Sequence, residues 1–331
     1  MGPLFGYNVR MELGKEELLR YSRQLVLPEV GSAGQRKLKA AKVAVVGAGG
    51  LGTPVLGYLA AAGVGELGVF DYGGVELSNL QRQLLYNSSD VGRRKTELAR
   101  RRLLELNPNI KVNAAEGMLT PANMAAALAP YQYVADCTDN FATRAAVNRA
   151  CLELDRVCVY GAVSQFEGQL AVFEPRRGPC LECACPGLAL AEGQSCAEAG
   201  IIGPVAGVVA SMQALELIKL ILGMDTLKGR FALLDLRHMQ MSVAEMKKDP
   251  ACPVCGAGPE RRFLESVEPP YITPAELKAR LAAPAPPRLI DLRYDWERTL
   301  CRIAGDEWAD LAAVMKDGGG LKTSDEIVLY C

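Results

Sequence analysis

The chain has 331 residues, half of them apolar, which is length and material for about two domains with sizeable cores and excludes a disordered chain. Its 37 lysines and arginines against 38 aspartates and glutamates leave a net charge of −1, so neither nucleic acid nor an anionic membrane is favoured as a partner. Eleven cysteines stand against one histidine, His238, so a metal site richer than one imidazole must be built from thiolates or carboxylates.

The first residues carry Arg10, Glu12 and Lys15 where an export signal needs an apolar run. With an odd cysteine count, that suggests a reducing cytoplasm. Residues 15–40 read as helical, with Leu18, Leu19, Leu25 and Leu38 as apolar points. The run KVAVVG at 42–47 is a strand buried on both faces, followed by a helix from Thr53 to about Ala62. ELGVFD at 66–71 is a second strand, and 93–106 is a charged helix ended by Asn107-Pro108. Strands at 110–115, 133–137 and 157–163 alternate with helices at about 121–129 and 141–155. This alternation predicts an α/β fold with a doubly wound, mainly parallel, Rossmann-like sheet. Beyond Gly161 the strands 168–174 and 231–243 are more polar on one face, so an antiparallel extension is expected. The most apolar stretch, 201–222, contains Pro204, Gln213, Glu216 and Lys219 and reads as a buried helix, not a membrane span. A first domain at 12–258, a proline-bearing linker at 259–271 and a short α/β piece at 272–331 complete the plan.

Gly47-Ala48-Gly49-Gly50-Leu51-Gly52 joins a strand to a helix, and Asp71 stands at the tip of the next strand. Glycines admit a phosphate to the backbone, the helix N-terminus supplies amides, and the acid can hold a ribose hydroxyl. A dinucleotide and ATP both fit that pattern. Arg93, Arg94 and Lys95 fall in the first turn of the charged helix, where each positive charge opposes the macrodipole by about 0.3–1 kcal/mol. The alternatives are a compensating anion and a solvated basic surface continued by Arg100, Arg101 and Arg102. The loop 78–83 and the segment Asp136-Cys137-Thr138-Asp139-Asn140 fall at the same sheet edge. Cations around an acid suit a triphosphate, with the acid placed for magnesium.

Cys180 and Cys183, with Cys252 and Cys255, form two pairs with two-residue gaps, the spacing of a structural zinc site. Cys185 reads as a bystander, Cys151 and Cys158 as core, and Cys196 as a candidate exposed nucleophile. His238 is expected within a strand, satisfying a hydrogen bond.

Arg23-Gln24, GAGGLG at 47–52, Asp71, SNLQRQ at 78–83, Lys95, DCTDN at 136–140 and the paired cysteines together resemble the MoeB/ThiF family of the ubiquitin-activating-enzyme-like superfamily, over 12–258. The resemblance implies adenylation, with Mg-ATP, of the C-terminal Gly-Gly carboxylate of a small ubiquitin-like sulfur carrier protein. It implies that Gly47, Gly49, Gly50 and Gly52 form the phosphate turn and that Asp71 holds the ribose. Arg82 and Lys95 would bind the triphosphate, Asn79 and Gln83 would assist, and Asp139 would organise magnesium and the attacking carboxylate. Arg23 would reach into the neighbouring site of a homodimer, Cys196 matches a loop cysteine that bonds the carrier in some relatives, and zinc would sit on the four thiolates. Sulfur from a persulfide donor protein would complete a molybdopterin- or thiamine-type transfer. Gly73 departs from the pattern, since many relatives carry a second acid there. ITPAELKARL, LIDLRYDWE and EIVLYC resemble the start of a rhodanese domain, read as truncated at the Cys331 that would open its active loop, which leaves persulfide transfer by this chain without its loop. The competing readings are a NAD-dependent oxidoreductase and a zinc-stabilised partner-binding scaffold without chemistry.

Overall fold

The computed structural model describes residues 13–115, 117–187, 200–256, 272–284, 286–293, 301–309 and 327–330, with Arg298 and Val314. These fall into two compact units, one within 13–256 and one within 272–330.

The larger unit is built on a sheet ordered β3-β2-β1-β4-β5-β6-β7-β8. In chain order it begins with three short helices, α1 (Lys15–Arg20), α2 (Ser22–Leu25) and α3 (Gly31–Ala40). The expected helical stretch 15–40 is therefore broken: Pro28 falls between α2 and α3, and Gly31 has a φ of +50°. Leu18 and Leu19 face solvent. Then come β1 (Lys42–Val46), α4 (Gly52–Ala62), β2 (Glu66–Phe70), α5 (Lys95–Leu106), β3 (Lys111–Ala114), α6 (Met124–Leu128), β4 (Tyr133–Asp136), α7 (Phe141–Leu154) and β5 (Val157–Ser164). All pairings among β1 to β5 are parallel.

The apolar run of β1 serves two cores at once. Val43 and Val45 pack on one face with Leu56 and Leu59 of α4 and Leu98 of α5, while Ala44 and Val46 pack on the other with Leu128 of α6 and Val147 of α7. A strand covered on both faces needs no polar alternation, which is why the site-bearing strands read as continuous apolar stretches.

After β5 the chain continues as β6 (Glu167–Phe173), α8 (Leu181–Ala184), α9 (Gly203–Leu222), β7 (Arg230–Asp235) and β8 (Gln240–Glu245). Strands β6, β7 and β8 extend the sheet antiparallel. The expected single strand 231–243 is a hairpin, turning through Met239 at φ +55°. His238 lies in that turn rather than in a strand, exposed, with Nδ1 2.8 Å from Asp235 Oδ2. Among the described residues α9 alone is long and apolar enough to cross a membrane. It packs instead in the core, with Val209, Ala210 and Leu217 fully buried, and its buried Gln213 donates from Nε2 to the Asp136 and Val159 carbonyls at 2.8 Å each.

The smaller unit holds α10 (Pro274–Leu281) and a parallel sheet in which β9 (Arg288–Asp291) lies between β10 (Glu307–Trp308) and β11 (Ile327–Tyr330). Thr273 and Glu276 close a capping box at the start of α10. The stretch 259–271, read as a linker, lies outside the described residues.

Leu217 is 0% exposed on the helix that covers β5 and β6. Leu217→Ala is expected to lower the unfolding free energy of the larger unit by about 2–5 kcal/mol, measured by urea denaturation.

Candidate active site

A cavity of about 350 Å³ opens at the C-terminal ends of β1, β2 and β4. Its floor is the glycine turn. Gly47 has a φ of +94°, and a Cβ there would stand 2.6 Å from the Cys137 carbonyl oxygen. Gly49 and Gly50 line the cavity, against the Gln83 amide and the Arg82 stem respectively. Gly52 does not line it: as the first residue of α4, it leaves a Cβ position 1.8 Å from the Gly47 carbonyl oxygen. Here a glycine is required by backbone packing within the turn.

The Asp71 carboxylate accepts from the amides of Ala48 at 2.8 Å and Gly73 at 2.7 Å. Lone pairs remain on both oxygens for a further donor. Tyr86 donates to the Ala48 carbonyl at 3.0 Å, and burial, aided by the charges of Asp71 and Asp90, pushes its phenol far above the usual range, so it remains a donor. The Cβ position of Gly73 lies 3.2 Å from Asp71 Oδ1 and 3.5 Å from Lys95 Nζ, so both side chains flank this glycine.

Of the three consecutive cations, Lys95 alone lines the cavity. Helix α5 begins at Lys95 with Arg94 as its N-cap, so Arg93 and Arg94 precede the first turn rather than occupying it. An anion does compensate here, and it belongs to the fold. Asp90 is fully buried and pairs with Arg93 at 3.5 Å, Arg101 at 3.5 Å and Arg102 at 3.4 Å. The strap it anchors is pinned to the 73–75 segment by backbone bonds, Val75 to Arg93 at 2.9 Å and Lys95 to Gly73 at 3.2 Å.

Asn79, Arg82 and Gln83 all line the cavity. Arg82 Nη1 is steadied by the Ser78 carbonyl at 3.0 Å. Gln83 is 3% exposed, and its Oε1 has no hydrogen-bond partner among the described residues. Asp139 is exposed at the rim, while Asp136 beneath it is buried, and burial raises its carboxyl above the usual range against the pull of Arg144 and Thr138.

The second centre is made of thiols. The Sγ atoms of Cys180, Cys183, Cys252 and Cys255 lie within 4.8 Å of one another, with Cys180–Cys252 at 3.7 Å, Cys183–Cys255 at 3.4 Å and Cys180–Cys183 at 3.9 Å. Four sulfurs around zinc at 2.3 Å stand about 3.8 Å apart, so the donor set fits a tetrahedral metal. None of the four is in a disulfide. Burial pushes the Cys180 thiol up to about 11 and raises Cys255 as well; burial opposes but does not outweigh the hydrogen bonds that hold Cys183 below its usual range. A cation that converts all four to thiolates resolves this mixture.

Residues 21–254 match the ThiF family model. The chain belongs to the ThiF family. It is 46% identical over 269 residues to the sulfur carrier protein adenylyltransferase of Thermus thermophilus, covering 78% of this chain and 98% of that protein. It is 37% identical over 341 residues to the probable adenylyltransferase/sulfurtransferase MoeZ of Mycobacterium tuberculosis, covering 96% of this chain and 86% of that protein. The structure is similar to E. coli MccB crystallised with ATP, with a TM-score of 0.61 and 27% identity over 72% of this chain and 74% of that chain. This ThiF-family protein is an adenylyltransferase, and its family membership implies ATP as the nucleotide consumed.

Within this family member the cavity unites Gly47, Gly49, Gly50, Asp71, Asn79, Arg82, Gln83, Lys95 and Asp139. Arg23 is apart from them, exposed on α2, whose Gln24 ties the helix to the Ala62 carbonyl at 2.9 Å. Cys196 and Cys331 lie outside the described residues. Cys185 is half-buried and outside the thiol cluster, and Cys151 and Cys158 are core. Arg144 lines the cavity and was missed, although its i+3 and i+7 spacing to Val147 and Cys151 sets a charge on the apolar face of α7.

The chain is expected to bind about one zinc, read by elemental mass spectrometry, and to lose it in the Cys180→Ser, Cys183→Ser double variant. Each thiol must shed its proton to bind, so zinc affinity is expected to fall steeply from about pH 8 to about pH 6; a flat profile rules out thiolate ligation.

Proposed function

We propose that this protein activates the C-terminal Gly-Gly carboxylate of a small ubiquitin-like sulfur carrier protein as an acyl-adenylate, consuming Mg-ATP. The observation that carries the reading is the meeting of the glycine turn, Asp71, Arg82, Lys95 and Asp139 in one cavity. The name of the Thermus relative supports the carrier as substrate.

The attacking group arrives ionised at neutral pH, so no general base is needed. A carboxylate oxygen forms a bond to the α-phosphorus, the bond from that phosphorus to the bridging oxygen breaks, and the electron pair leaves with pyrophosphate. The turn at Gly47, Gly49 and Gly50 receives the phosphates on its amides, and Asp71 accepts from the ribose with the lone pairs its two backbone donors leave free. Arg82 and Lys95 take up charge as it moves onto pyrophosphate, and Asn79 and Gln83 complete the hydrogen bonding. Asp139 would hold magnesium, which when bound neutralises triphosphate charge. Catalysis on this scheme is positioning and electrostatics.

The outer sulfur of a persulfide donor then displaces AMP to give an acyl disulfide, and a second thiol attacks the donor's sulfur, forming a disulfide with it and releasing the thiocarboxylate, in a molybdopterin- or thiamine-type transfer within the cytoplasm, with Cys196 the candidate for a covalent bond to the carrier. Arg23 serves the site of a second copy: it is exposed away from its own cavity, on a helical arm whose Leu18, Leu19, Val26 and Leu27 are also exposed. The unit at 272–330 is read as the start of a rhodanese-like fold, supported by the reach of the MoeZ match across 96% of this chain.

Pyrophosphate exchange into ATP is expected to depend on a Gly-Gly-ended carrier, and Lys95→Ala or Asp139→Ala to lower it by about 10²–10³-fold. Tight NADH binding without ATP binding overturns the assignment.

A further inference from the structure

Thr138 is held between two buried charges. Its amide and its Oγ1 both donate to Asp136 Oδ1, at 3.1 and 2.7 Å, while its carbonyl accepts from Arg144 Nη2 at 2.7 Å. Asp136 is 1% exposed and Arg144 5%. The Thr138 carbonyl belongs to the peptide plane from which Asp139 departs, so holding that oxygen fixes the plane.

Arg144 is itself braced from the far side. Its Nη1 donates to the Tyr160 hydroxyl at 2.8 Å, its guanidinium stands 5.1 Å from the Tyr160 ring centre, and Tyr160 donates on to Gln169 at 3.0 Å. Packing does not account for an arginine here. A buried guanidinium is costly unless paired, and this one bonds directly to neutral oxygens, attracts Asp136 through space without a direct hydrogen bond to it, and leaves a buried Nε without a partner. An apolar residue would cover the same face of α7 without that cost. Lysine would not replace it, because a single ammonium lacks the fork that reaches two divergent acceptors.

Resting on the adenylation proposed above, we propose that Arg144 is a positioning residue: it locks the Thr138–Asp139 peptide so that Asp139 stands in its working orientation before nucleotide and carrier arrive.

The test compares the full-length chain with Arg144→Lys and with the milder Tyr160→Phe. It reads carrier-dependent exchange, equilibrium ATP binding and amide hydrogen exchange. Arg144→Lys is expected to lower kcat by about 10²-fold while ATP affinity stays within about threefold. Protection is expected to fall at the Thr138 amide while Val134 and Ala135 of β4 keep theirs. Tyr160→Phe is expected to act in the same direction and less, and it carries the test if the lysine variant does not fold. Wild-type kcat in Arg144→Lys, or protection lost evenly across β4 and β5, overturns the proposal, the second result marking a purely structural residue. If the wild-type chain forms no adenylate, the proposed function fails, and the hydrogen-exchange comparison still decides whether Arg144 holds the Thr138 peptide.

Discussion

Between the end of β1 and the end of β4 there is no room for one more carbon atom. A Cβ on Gly47 would stand 2.6 Å from the Cys137 carbonyl oxygen, and one on Gly52 would stand 1.8 Å from the carbonyl of Gly47 itself. The glycine turn that lines the cavity, the first residue of α4 and the segment that ends in Asp139 are thereby pressed into one rigid piece. Gln213 draws the same point tighter from below, bonding the last carbonyl of β4 and one of β5 to the core helix.

Charge is divided by depth. Buried carboxylates shape the loops: Asp90 gathers Arg93, Arg101 and Arg102, and Asp136 holds both donors of Thr138. Removing one partner from such an arrangement leaves a buried charge uncompensated, commonly about 3–5 kcal/mol. Arg82, Lys95 and Asp139 line the cavity, where on the proposed reading a triphosphate would meet them. The fold thus satisfies its own electrostatics without consuming the groups the reaction needs. The placement of Arg93 makes the point, since a cation that looked like a nucleotide ligand belongs to the scaffold.

Much of this was legible in the chain. Strands covered on both faces announce themselves as apolar runs, so β1 and β2 stood out, and GAGGLG, SNLQRQ and DCTDN marked the sheet edge they share. What stayed hidden depends on partners far apart in sequence. Asp90 meets Arg101 eleven residues away and Arg102 twelve away, and Arg144 meets Tyr160 sixteen away, so no local pattern reveals either. A glycine that backbone packing requires, as Gly52 is, and one needed for a ligand look alike in sequence. The β7–β8 turn was missed because its left-handed residue is Met239, where turn chemistry would call for glycine or asparagine.

The thiol cluster joins residues 72 positions apart, Cys180 to Cys252 and Cys183 to Cys255. With a metal seated there, helix α9 and the two outer antiparallel strands, β7 and β8, lie inside a closed ring of chain. Closing a ring of that size removes about 4 kcal/mol of unfolded-state freedom on the chain-entropy model. A protease that cut the backbone once between Cys183 and Cys252 would release no fragment, because both new ends would still hang from the same ion. The metal gives this half of the molecule the continuity of a covalent bond on terms that a chelator can revoke.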